Sequence, residues 1–182
     1  MPLRLEDIDK DCWQQLAIGA GEPDADFHFL TLASVDLQGK PQARTVVLRR
    51  VDPVRRELEF HTDIRSAKWR ELANNPHVTV LGYGNRTQLR MQATVELNAG
   101  NSERAEAAWN LLSARSQKTY AGPAPGTDLS AETHPSGKVN FGVVLCRVNL
   151  LDWCLLAREC NQRALINYSA TGILVSAKWV NA

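Results

Sequence analysis

Residues 44–50 (RTVVLRR) and 60–68 (FHTDIRSAK), which a short charged turn separates, decide the fold of this chain. Both are β-type apolar runs that carry cationic or hydroxyl side chains, and the second leads directly into a predicted helix start. This arrangement favours a site for a flat, phosphorylated ligand. Backbone edges would line the ligand, and Arg44, Ser66 and Lys68 would surround its phosphate near the helix N-terminus.

Charged side chains at protein surfaces are usually solvated, so Arg44 and Lys68 have a second interpretation as ordinary surface charges. Arg44 and Arg49 also lie an odd number of positions apart, and a flat strand would point them to opposite faces. Both can serve one ligand only if the strand bulges or twists, or if the ligand passes around the end of the strand. The spacing alone therefore leaves a phosphate site and a solvated strand both open.

The bulk composition is that of an ordinary globular domain. The chain has 182 residues, of which 44% are apolar and 23% are charged, and its formal net charge is +1. These values predict one domain and give no reason to expect nucleic acid or a membrane as a partner. The N-terminal residues are too acidic for a signal peptide, and the four cysteines form no CxxC pair. We therefore expect free thiols, no metal site and a cytoplasmic location.

Alternation and turn residues predict short strands joined by tight turns. The predicted strands are 27–35, 43–51, 58–62, 78–81, 88–97, a buried strand or pair within 140–156, and a closing hairpin of 164–168 and 173–179. The predicted helices are 5–17, a segment from Asp63 or Ser66 to Asn74, and a segment that begins at Asn101 or Ser102. Such a series is mainly β and antiparallel, and we expect it to close into a small barrel with flanking helices.

Three segments resemble the flavin-binding segments of the pyridoxamine 5′-phosphate oxidase family: 44–49 (RTVVLR), 60–68 (FHTDIRSAK) and 87–90 (TQLR). Residues 30–41 (LTLASVDLQGKP) are similar to the opening hairpin of that family. The resemblance is strong over 22–98 and weaker beyond. It implies an FMN-binding split barrel with Greek-key-like antiparallel strands, and a homodimer with FMN at the subunit interface.

The resemblance also implies a single family domain over residues 1–182, with its flavin-binding core at 22–98, a loop at 122–137 and C-terminal strands at 139–182. The residues that it places around FMN are Arg44, Thr45, Val46, Val47, Leu48, Arg49, His61, Thr62, Ser66, Lys68, Gln88 and Trp153. Arg44 and Lys68 would hold the phosphate, and the backbone of 45–48 would run along the flavin. His61 and Thr62 would contact its isoalloxazine or ribityl part.

Other positions depart from the family pattern. Ala67 stands where the family has an arginine before the phosphate lysine, and Arg49 stands where it has a lysine near flavin and substrate. The substrate motif of the true oxidase, Arg-x-His followed by an arginine, corresponds here to Arg163, Leu165 and Asn167. Arg49 and Arg163 are therefore the substrate-binding candidates, and the resemblance implies FMN more strongly than it implies pyridoxamine phosphate oxidation.

Three functional hypotheses follow from these residues. The leading one is an FMN-binding oxidoreductase that resembles pyridoxamine 5′-phosphate oxidase, with an unidentified small-molecule substrate. The second is a non-catalytic FMN-binding or flavin-carrier protein, which the lost substrate residues favour. The third is a small nucleic-acid-binding barrel, suggested by the excess of Lys and Arg in residues 44–70. Few aromatic side chains are interleaved there as stacking platforms, which argues against the third hypothesis.

Overall fold

The chain was studied as a computed structural model, which describes residues 3–129 and 136–182. Its strands are β1 (Phe29–Val35), β2 (Pro41–Asp52), β3 (Glu57–Asp63), β4 (His77–Gly84), β5 (Thr87–Ala99), β6 (Phe141–Leu155), β7 (Gln162–Tyr168) and β8 (Leu174–Val180). Its helices are α1 (Leu5–Gly21), α2 (Ala67–Asn74), α3 (Glu103–Leu111) and α4 (Ala114–Lys118), and a 3-10 turn covers Lys138–Asn140.

The strands form one antiparallel sheet in the order β3-β2-β1-β4-β5-β6-β7-β8, and a further pairing of β3 with β6 closes β1–β6 into a barrel. Because β4 returns to lie beside β1 after the β1-β2-β3 meander, the first four strands form a Greek key. Strands β7 and β8 continue the sheet beyond the barrel. The predicted mainly β, antiparallel barrel with flanking helices is confirmed.

Strand β5 shows why the sequence pattern led to this fold. Leu89, Met91 and Ala93 are at most 2% exposed, whereas Arg90 and Gln92 between them are exposed. Its long antiparallel ladder with β6 runs from Thr87 to Ala99. Residues 141–155 form one continuous strand rather than a pair, because β6 pairs with β3 and β5 in the barrel and then with β7 beyond it.

A buried polar network fixes α1 to the barrel. The Trp13 indole donates a hydrogen bond to the Tyr168 hydroxyl at 3.0 Å, and that hydroxyl donates to Asp9. Arg56 pairs with the other Asp9 oxygen at 2.7 Å, and its guanidinium lies over both aromatic rings. The charge of the buried Asp9 is thus matched by a cation and by a hydroxyl donor, as a buried carboxylate requires.

Element boundaries differ modestly from the sequence predictions. Helix α1 extends to Gly21 rather than residue 17, and β1 begins at Phe29 rather than residue 27. The predicted loop at 122–137 falls partly on residues 130–135, which lie outside the described residues. Among the described residues, no helix has the length and apolar character needed to cross a membrane.

Candidate functional site

The start of α2 is built as the sequence predicts, with Ser66 rather than Asp63 as its N-cap. The Ser66 hydroxyl accepts a hydrogen bond from the backbone N–H of Trp69 and donates one to the Asp63 carbonyl at 2.7 Å. The Thr62 hydroxyl lies 3.5 Å from that of Ser66. The end of β3 and the N-cap of α2 therefore bring two hydroxyl groups to the positive end of a helix, where anions bind favourably.

Two cations meet at the same place. Arg44 donates hydrogen bonds to the hydroxyl of Ser34 at 2.6 Å and to the carboxylate of Glu71 at 2.7 Å, which fix its guanidinium beside α2. Burial lowers the pKa of Lys68 below its ordinary value, and the positive charge of Arg44 lowers it further. Arg44 and Lys68 therefore place two positive charges at the start of α2, where an anion would bind favourably, while Glu71 and Asp63 partly offset the repulsion on Lys68.

A split in the barrel wall begins where β2 and β3 separate. These strands pair from Asp52↔Glu57 as far as Leu48↔Phe60, and within the described residues their pairing goes no further. Beyond that point, residues 45–47 pair only with β1, and residues 61–63 pair only with β6. Backbone edges of both strands therefore face an opening, and backbone polar groups require partners.

The split resolves the question of Arg44 and Arg49. Arg44 lies on the inner face of β2, in phase with the buried Val46 and Leu48, whereas Arg49 is exposed on the outer face. A β-bulge follows between Leu48 and Arg50, but it leaves Arg44 and Arg49 on opposite faces. Since residues 45–47 have no β3 partner among the described residues, the sheet is interrupted between the two faces at this point.

The outer end of the split opens into a groove of about 790 Å³ between β2, β3 and α3. Arg49 and His61 line this groove, and Ala108, Leu112 and Leu145 supply apolar surface. The structure thus places a phosphate-sized cluster of cations and hydroxyls on one side of the wall, with a larger groove of mixed polarity on the other. This division suits a ligand with an anionic end and a bulky end.

Gln88 and Trp153 lie elsewhere in the same chain. Strand β5 is across the ring from β2, because β1 and β4 separate them in one direction and β3 and β6 in the other. Gln88 is the second residue of β5. Trp153 on β6 packs edge-on against Trp179, with ring centroids 6.1 Å apart. Within one chain, the structure does not bring these two residues to the split.

Arg163, the second substrate candidate, is bound by an internal partner. Both of its guanidinium contacts to Asp152 measure 2.9 Å, and Arg90 pairs with the same carboxylate. Burial alone would raise the pKa of Asp152, but the bonds from the two arginines outweigh it and hold that pKa below its ordinary value. The guanidinium of Arg163 is therefore already paired with Asp152, although 31% of the side chain remains exposed.

Sequence reasoning missed two carboxylates that organise the site. Glu71 holds Arg44, and Glu59 accepts bonds from His61 and Arg104, each at 3.2 Å. Burial alone would raise the pKa of Glu59, but those two donors outweigh it and keep that pKa below its ordinary value. The alternation of Glu57, Glu59 and His61 in β3 was the available signal, since it places all three on the outer face of that strand.

Comparison with known proteins identifies the family of the chain. The family model for pyridoxamine 5′-phosphate oxidase matches residues 25–148, which is more than half of the chain. Pyridoxine/pyridoxamine 5′-phosphate oxidase 2 of Arabidopsis thaliana is 30% identical over 180 residues, covering 88% of this chain and 90% of the relative. The chain belongs to the pyridoxamine 5′-phosphate oxidase family.

Other similarities are partial in sequence or confined to the fold. The Paraburkholderia phytofirmans pyridoxine/pyridoxamine 5′-phosphate oxidase is 39% identical over 100 residues, which cover 52% of this chain and 44% of that enzyme. The chain thus matches less than half the length of that relative. A crystal structure of a pyridoxamine 5′-phosphate oxidase-related, FMN binding protein from Nostoc punctiforme matches all of both chains, with a TM-score of 0.77 and 23% identity. It supports the split-barrel fold.

Proposed function

We propose that this protein binds FMN through the split between β2 and β3 and is an FMN-dependent oxidoreductase. The observation that carries the proposal is the split itself, with paired cations at its inner end and a large groove at its outer end. The residues fit the cofactor, because a phosphate would relieve the repulsion between Arg44 and Lys68. The flavin would also offer partners to the open backbone edges of residues 45–47 and 61–63.

Each implied residue then has a role that follows from its position. Arg44, Lys68 and the hydroxyl of Thr62 would bind the phosphate, with Glu71 keeping Arg44 oriented and Ser66 capping the start of α2. The backbone of 45–48 would line the flavin, and Arg49 and His61 would reach it from the groove. Bound FMN supplies the electron-transfer chemistry, so the chain itself needs only to bind, orient and exclude water.

The split also supports the proposed homodimer. Gln88 lies on β5 across the barrel from β2, and Arg163 lies on β7 beyond the barrel, so we expect them to approach the same flavin only from a second copy. A mixed dimer tests this directly: one chain carries Lys68→Met and the other carries Gln88→Ala. If the site is shared between subunits, the mixed dimer recovers one intact site of two, although each homodimer is weak. If mixing restores no tight site, the shared arrangement is wrong.

A non-catalytic flavin carrier is the second candidate, and the engagement of Arg163 by Asp152 favours it. Leu165 and Asn167 also replace the residues that would join Arg163 around a substrate phosphate in the family oxidase. The two candidates are separated by turnover. An enzyme is supported if bound flavin is reduced by NAD(P)H, or if a pyridoxamine-type substrate is consumed in air. Bound flavin that is inert to a broad panel of donors favours the carrier.

The absorption spectrum of the purified protein tests FMN binding. We expect oxidised-flavin bands in the wild type or after adding FMN, and their loss on dialysis of Arg44→Ala or Lys68→Ala. Lys118→Ala, on the exposed face of α4, is the matched control and should retain the bands. A colourless wild type that takes up no FMN would remove the proposal.

The same preparation allows a thiol count, which the proposed cytoplasmic location predicts to show reduced Cys12 and Cys146.

A further inference from the structure

His61 is held by a carboxylate on one side only. Its Nε2 atom lies 3.2 Å from Glu59, and its ring packs edge-on against Phe141 with centroids 5.0 Å apart. The side chain is 8% exposed. Its Nδ1 atom is fully buried and has no hydrogen-bond partner among the described residues. By contrast, the buried His28 places its Nδ1 2.7 Å from the Gly19 carbonyl and is satisfied within the fold.

Glu59 determines which nitrogen of His61 carries the proton. Its lowered pKa keeps it ionised, and a carboxylate can only accept, so Nε2 must donate. Arg104 donates to the other Glu59 oxygen, and Arg147 pairs with Glu57, so arginines already match both carboxylates of β3. With Nε2–H directed at Glu59, Nδ1 is the nitrogen of the neutral ring that is left as a hydrogen-bond acceptor.

A bare, buried Nδ1 indicates a ligand, because an unsatisfied buried polar atom costs about 1–3 kcal/mol. His61 lines the groove at the outer end of the split, where the proposed flavin would lie. The charged and titratable groups around it come from β2, β3, β6, α3 and the segment after α4: Arg49, Arg50, Glu57, Glu59, Arg147, Glu103, Arg104 and Tyr120. Of the residues around His61, the family resemblance implies Arg49 as a flavin contact, as it does His61 itself.

We propose that Glu59 and His61 form a positioning pair, in which Glu59 fixes the Nε2–H tautomer so that Nδ1 accepts a hydrogen bond from an N–H or O–H group of the flavin. Glu59 is the positioning residue, and His61 touches the ligand. The proposal rests on FMN binding in the split but goes beyond it, because it makes the affinity depend on the tautomer of one ring.

The tautomer is measured first, on the full ligand-free chain, by long-range ¹H–¹⁵N NMR, with His61→Phe to assign the signal. We expect a protonated Nε2 and an unprotonated Nδ1 in the wild type, and a shift towards Nδ1–H in Glu59→Gln, whose amide can donate to Nε2. A wild-type ring that is already protonated on Nδ1 overturns the proposal. This measurement needs no flavin, so it is independent of the proposed function.

The affinity is measured next, by titrating wild type, His61→Phe and Glu59→Gln with FMN and with riboflavin. Both variants should bind about 5-fold more weakly than the wild type, the loss of one neutral hydrogen bond. Riboflavin should show the same ratios, because the contact does not involve the phosphate.

The control is His77→Phe, an exposed histidine on β4, which should behave as the wild type. Equal affinities of wild type and His61→Phe, with FMN bound, would refute the pairing but leave the proposed FMN site intact. Failure of the wild type to bind FMN at all would instead refute the proposed function. Thermal melts of each variant verify that an affinity change does not reflect unfolding.

Discussion

Replacing Lys68 by methionine removes a charge but keeps an unbranched apolar side chain at the start of α2. The pKa of Lys68 is lowered by burial and by Arg44, so its ammonium destabilises the ligand-free fold. We expect the ligand-free variant to be as stable as the wild type or up to about 1 kcal/mol more stable, a rise in Tm of about 2–4 °C. Its FMN affinity should fall about 10- to 100-fold, because a charge-assisted hydrogen bond contributes about 1.5–3 kcal/mol.

Calorimetry of the ligand-free protein measures the change in stability, and quenching of flavin fluorescence measures the FMN affinity. The control is Lys10→Met, on the exposed face of α1. The stability difference should also shrink as the pH rises through the lowered pKa of Lys68. In that window the folded lysine has lost its proton while the unfolded one keeps it, so the wild type gains stability. Two results would refute this reasoning. One is an equal FMN affinity of Lys68→Met and Lys10→Met, and the other is a free energy of unfolding of Lys68→Met that falls by more than about 1 kcal/mol.

Three further changes test how the fold is held together, each by thermal or urea denaturation. Tyr168→Phe leaves the buried indole N–H of Trp13 without its acceptor and removes one of the two donors to Asp9, so it should destabilise by about 1–3 kcal/mol, whereas Tyr83→Phe on an exposed ring should change little. Gly172 and Gly39 both have left-handed φ angles, +84° and +82°, so alanine is strained at either position. Gly172→Ala should destabilise the fold more than Gly39→Ala, because a Cβ at Gly172 would lie 2.5 Å from a backbone carbonyl oxygen. Asp152→Asn should lower stability at neutral pH, and the difference should vanish as acid protonates the wild-type carboxylate through its lowered pKa.

Much of the fold follows from local patterns. The polar–apolar alternation of 88–97 predicts β5 and its buried face, and Ser66 predicts the start of α2 because a hydroxyl before a helix can accept a first-turn N–H. The pairing of β3 with β6 is not visible in this way, since those strands are far apart in the chain and no turn residue specifies their register. Closure of the barrel is a tertiary property of the whole sheet.

The candidate site divides in the same manner. Residues 44–48 and 61–68 are contiguous motifs, and the structure places them along one opening. The partners Glu71 and Glu59 were missed because ion pairs depend on which side chains the fold brings together, and spacing alone does not encode that. The alternation of β5 puts Gln88 on its polar face. That pattern carries no information about neighbouring strands, so it does not show that β5 lies across the barrel from β2.

Backbone amide hydrogen exchange with and without FMN tests the central claim most directly, since the claim concerns the open edges of β2 and β3. In the part of the chain that the structure describes, residues 45–47 and 61–63 have no partner strand across the split, so their outward N–H groups should exchange readily in the ligand-free chain. The account predicts that saturating FMN slows exchange in these two segments and at the start of α2. FMN that binds while protection appears elsewhere, and neither segment changes, would contradict it.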